Sequence, residues 1–86
     1  MEKQNNQLRN ACHEAALFFK KLGDSKHKDI QSKLDFVVGS YDFDKNPVGL
    51  YDIGAKALNI LQDIKAKNPR KVSKSLVTSL EESLKK

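Results

Sequence analysis

The sequence predicts an all-α protein, a compact bundle of four short helices over about 3–22, 25–41, 47–67 and 69–85. Three observations predict it. Apolar residues recur at intervals of three and four along most of the chain, as on one face of a helix turning about 100° per residue. Stop and start signals fall between those stretches. Nothing alternates with period two for long; "FVVGSYDF" is the one plausible strand, and it has no obvious partner.

In the first helix Leu8, Ala11, Cys12, Ala15, Phe18, Phe19 and Leu22 share a broad face, and Gly23 follows as a C′ stop. Asp24 or Ser25 can cap the second helix, whose stripe is Ile30, Leu34, Val37, Val38 and Tyr41. Asn46-Pro47 suits the N-cap and first position of the third. Its apolar residues, from Leu50 and Tyr51 through Ile53, Ala57, Leu58, Ile60 and Leu61 to Ile64, cover about half the cylinder, which marks it as the central helix. Asn68-Pro69 repeats the start signal. The fourth helix then carries the narrowest stripe, Val72, Leu76, Val77, Leu80 and Leu84. The two "KNP" triplets, 45–47 and 67–69, read as one capping solution used twice rather than as a repeat.

With 86 residues the chain is read as one domain, 1–86, with a single core of modest stability. A composition of 31% charged and 38% hydrophobic residues fits a folded domain rather than disorder. No apolar run approaches the roughly 18–20 residues that span a bilayer. "MEKQNNQLRN" is too polar for a secretory signal, and the single cysteine, Cys12, cannot form an internal disulfide. The expected location is cytoplasmic.

The stretch "FDKNPVGLYDIG" looks like a metal loop, because Asp42, Asp44 and Asn46 match the first three ligand positions of an EF-hand. Pro47 then stands where glycine is needed, and Ile53 where a bidentate glutamate should close the shell. The stretch is therefore read as a helix entrance. Cys12 and His13 are adjacent and point about 100° apart on a helix, and His27 is distant, all three being too few for a zinc site. Ser73, Ser75, Ser79 and Ser83 have no nearby histidine or glycine elbow. No glycine-rich phosphate loop occurs. The expectation is a protein that is not an enzyme and needs no cofactor, metal or small-molecule substrate.

Two surfaces remain. Lys65, Lys67, Arg70, Lys71 and Lys74 fall within ten residues that contain no acid, in a chain of net charge +5. They precede "VSKSLVTSLEESL", which has the flavour of a DNA-recognition helix. That likeness fails where Arg70 replaces the turn glycine, and where Lys71 and Ser79 replace apolar packing residues. These five residues are the candidate site for nucleic acid or another polyanion. The second surface needs helix two to continue through Gly39. Phe36 and Phe43 then share its outer face, with Ser32, Gly39 and Ser40 as small neighbours. Paired exposed aromatics mark interfaces. The primary functional expectation is thus a non-enzymatic interaction module that self-associates as a homodimer or binds another protein. Polyanion binding is the alternative.

Overall fold

The computed structural model describes residues 2–23 and 25–85. It is an all-α bundle of four helices, α1 (Glu2–Leu22), α2 (Lys28–Asp44), α3 (Val48–Lys67) and α4 (Lys74–Leu84), with a 3-10 turn at Ser25–His27 leading into α2. The helices run up, down, up and down. Contacts between distant residues fix this topology. The Gln4 amide donates to the carbonyls of Ser83 and Lys85, tying the start of α1 to the end of α4. Tyr41 and Tyr51 donate to Asn6 and Asn5 at 3.0 and 3.2 Å, so the α2–α3 connection lies at that same end. The α1–α2 and α3–α4 connections consequently share the opposite end. Among the described residues no helix is long and apolar enough to cross a membrane.

The apolar stripes meet in one core. All five stripe residues of α2 are buried, and Leu50, Ile53, Ala57 and Leu61 of α3 face them. α1 contributes Leu8, Ala11, Cys12, Ala15, Ala16 and Phe19, while Leu76, Val77 and Leu80 come from α4. The expectation that α3 alone is central needs correction. α1 and α3 each pack against all three other helices, and α1 does so the more extensively. Its small side chains, Ala11, Cys12, Ala15 and Ala16, let neighbours approach from several sides.

Helix boundaries follow local chemistry, with corrections in α2 and α4. α2 starts at Lys28 and not at residue 25: Ser25 lies in the 3-10 turn, His27 holds the N-cap position, and Asp24 lies outside the described residues. α2 runs on past Tyr41 through Gly39 and ends at Asp44. Lys45 then closes it in the left-handed conformation, φ 60°, with its amide bonded to the Tyr41 carbonyl at 2.7 Å. A side chain at positive φ costs about 1–2 kcal/mol, and here the Lys45 ammonium, 5.3 Å from the Tyr41 ring centre, gains a cation–π contact. At the start of α3 the Asn46 carboxamide accepts the Val48 amide at 3.1 Å, the capping bond the sequence predicts.

The second correction concerns α4, which begins at Lys74 and not at Pro69. Asn68 is the C-cap of α3, its amide on the Ile64 carbonyl. Its own carbonyl accepts from Lys71 at 3.1 Å, so Pro69 and Arg70 occupy a turn. Val72 is buried from that connection. Because Val72 stands four residues before Leu76, it imitates one more turn of the helical stripe.

The two asparagines should therefore behave differently. Asn46→Ala should destabilise by about 1 kcal/mol, the usual scale for a lost N-cap. Asn68→Ala removes no side-chain cap and should fall well below that value. Denaturant titration of both variants measures the contrast.

Candidate interaction surfaces

The residues that looked most like a chemical site are consumed by structure. Asp42 is held by Arg9, whose Nε and Nη2 donate to the two carboxylate oxygens at 3.0 and 2.8 Å. This bidentate bond holds the Asp42 carboxyl below its ordinary pKa and raises that of Arg9. Asp44 accepts the Asn46 amide at 2.9 Å, Asn46 caps α3, and Asp52 is exposed on α3. Among the described residues no group of three histidines, cysteines or carboxylates converges.

Cys12 packs in the core with its thiol 3.9 Å from the Leu50 carbonyl. Burial pushes its pKa up to about 12. His13 is exposed. His27 stacks on Phe19 with ring centres 5.3 Å apart. Ser79 and Ser83 line a polar cleft of about 270 Å³ between α1 and α4 with Gln7, Asn10, Glu14 and Glu82. Among the described residues the lining of this cleft includes neither a histidine nor a thiol.

The aromatic face is laid out differently. α2 passes through Gly39 without a break, so Ser32, Phe36, Gly39, Ser40 and Phe43 fall on one continuous side, and all are exposed. Phe36 is 74% and Phe43 91% accessible, far beyond what isolated surface apolar residues need explain. A Cβ added at Gly39 would meet nothing within 4 Å. Gly49 differs, since a Cβ there would lie 2.9 Å from Val37 Cγ1, which makes glycine a requirement of α2–α3 packing. Beside the aromatic face, Ser32, Lys33 and Phe36 border an open groove of about 430 Å³, closed on the α3 side by Gly49, Ile53 and Lys56.

The basic residues do not sit on a recognition helix. Lys65 and Lys67 end α3, Arg70 and Lys71 lie in the turn, and Lys74 opens α4. Lys67 pairs with Asp63 at 3.4 Å across an exposed helical turn. Lys65 is half-buried beside Gln62, Ala66, Pro69 and Val77.

Comparison with protein-family models, with curated proteins and with solved structures finds no match to the chain.

The buried thiol yields a test of this layout. A group that stays neutral in the fold but ionises when unfolded makes stability fall as pH rises, here from the free-thiol value near 8.5 toward 12. Cys12→Ala should flatten that alkaline loss. Native protein should react with a thiol reagent only at the rate of opening, and promptly once denatured.

Proposed function

We propose that this chain is a non-enzymatic, self-associating interaction module, and that the outer face of α2 is where a second copy binds. The observation that carries the reading is the exposure of Phe36 and Phe43 on one unbroken helical seam. Leaving a phenylalanine in water forfeits roughly 1.5–3 kcal/mol. The core stripe of α2 is already complete without them.

The seam itself favours a second copy over an unrelated partner. Ser32, Phe36, Gly39 and Phe43 are separated by four, three and four residues, the spacing of a coiled-coil seam. The set is symmetric about the peptide between Val37 and Val38. An antiparallel two-fold pairing therefore sets Phe36 opposite Gly39 of the partner subunit, and Phe43 opposite Ser32 of the partner subunit. Each ring meets a small residue, as a knob meets a hole. The groove beside Ser32, Lys33 and Phe36 lies where Phe43 of the partner subunit arrives. Gly39 costs an exposed helix about 0.5–1 kcal/mol relative to alanine, and its own fold does not need it. Close approach of a second helix supplies the reason. Asp42, on the flank of the seam, has its charge offset by Arg9.

Four rings per dimer at roughly 1.5–3 kcal/mol each must exceed an association cost on the order of 4–15 kcal/mol. The dimer should be of modest affinity and form mainly at higher concentration. A buried cysteine and the absence of a spanning helix among the described residues accord with the cytoplasm, where we place the protein.

Analytical ultracentrifugation with circular dichroism tests this reading. The wild type should dimerise, and do so in high salt, because apolar contacts are not screened. Phe36→Ser with Phe43→Ser should be a folded monomer. Gly39→Ala should raise the stability of the monomer by about 0.5–1 kcal/mol while weakening the dimer. A wild type that stays monomeric at high concentration, or a Gly39→Ala dimer as tight as the wild type, would overturn the proposal.

A further inference from the structure

The up-down topology assembles a basic surface larger than the sequence alone displays. Both the α1–α2 and the α3–α4 connections lie at the same end of the bundle. Lys20 and Lys21 close α1 there and Lys28 opens α2. Beside them stand Lys65 at the end of α3, then Arg70, Lys71 and Lys74. The carboxylates described at this end are Asp29 and Asp63, already paired with Lys33 and Lys67. Among the described residues no carboxylate forms an ion pair with the seven cations named.

The fold explains only part of this charge. Lysines in the last turns of α1 and α3 complement the negative ends of those helices. Lys28 and Lys74 do the opposite, being the first residues of α2 and α4, where the helix dipole disfavours a cation. α4 has no acid in its first turn to offset Lys74. In α2 Asp29 shares the first turn with Lys28 and offsets it, so Lys74 is the uncompensated cation, and its placement points to an anion outside the protein.

We infer that this end of the bundle binds the phosphate backbone of duplex nucleic acid without reading its sequence. The bundle measures 35 × 24 × 16 Å, so an end 24 Å wide spans about seven base pairs at 3.4 Å each. At a Debye length of about 8 Å each exposed cation acts on the phosphates nearest to it, so a surface of this width gains by making several contacts at once. Stacking on single-stranded bases requires exposed aromatic rings, and here Phe19 is buried and Phe18 half-buried. Anchoring in a membrane surface requires an exposed apolar wedge beside the charge. The exposed Phe43 and Val48 lie at the opposite end and Phe36 midway along α2, which leaves beside the charge only Leu17, one turn before Lys20 and Lys21, a single leucine rather than a wedge.

Fluorescence anisotropy of a labelled DNA duplex titrated with the full chain over a salt series tests the inference. Binding should be firm at low salt and fade steeply as salt rises. Lys20→Gln, Lys21→Gln and Lys28→Gln together should reduce the log–log salt slope by about 2–3, at roughly 0.9 per phosphate contact. Arg70→Gln, Lys71→Gln and Lys74→Gln should do the same, and Lys45→Gln at the other end should not. All these side chains are exposed, and circular dichroism melts should show each variant folded. Absence of binding at low salt would overturn the inference. So would a first triple variant that binds like the wild type, since the end would then not act as one surface. Vesicles rich in phosphatidylserine form a parallel arm, and their capture of the protein in preference to duplex would reassign the surface to membranes.

Discussion

The close approach of α1 to α3 is the constraint on which the rest of the bundle depends. A Cβ at Gly54 would lie 3.3 Å from Cys12 Sγ and 3.4 Å from Leu8 Cδ1, and 3.5 Å from Leu84 Cδ2 of α4. Three helices thus converge where α3 has no side chain, against a face of α1 built from alanine and cysteine. With α1 and α3 in contact across the centre, α2 and α4 are held on opposite sides and scarcely meet. α2 turns its whole apolar stripe inward onto the central pair. Its outer side, with Phe36 and Phe43, is left facing solvent as a consequence of that geometry rather than of a packing defect.

Much of this was legible in the residues, because a helical stripe is a local property. Leu34, Val38 and Tyr41 announce their burial by spacing alone, and Asn46-Pro47 announces the cap it makes. Asn68-Pro69 carries the same letters and does something else. What separates the two is whether the chain turns back at that point, and the bond from Lys71 to the Asn68 carbonyl decides it. His27 escaped for a related reason, since its contact with Phe19 spans the α1–α2 connection and has no periodic signature. The candidate surfaces divide in the same way. The aromatic seam of α2 is one helix face and can be read from spacing. The basic end joins Lys20, Lys21 and Lys28 to residues more than thirty positions away, and only the topology brings them together.

The polar residues of the α2–α3 connection show how capping can imitate a site. Helix ends leave amides and carbonyls without intrahelical partners, and short polar side chains are the cheapest means of satisfying them. Asp44 and Asn46 serve that need in sequence, each accepting a backbone amide two residues on. Asp42 looks outward to Arg9 of another helix, so its oxygens are committed as well. Chemistry-bearing residue types near a proline and two glycines are therefore equally the residue types of a tight helix–helix connection.

The length of α4 bears on how the molecule opens. At 11 residues it is the shortest helix, below the roughly 12–15 at which isolated helices become even marginally stable in water. It owes its order to Leu76, Val77 and Leu80 seated against α1 and α3, with Val72 anchoring the connection before it. Such an element leaves as a unit. Its release is the expected first local opening, at a cost below that of global unfolding. Such an opening would lift Leu84 from Gly54 and bare apolar surface at the α1–α3 junction that the folded bundle hides.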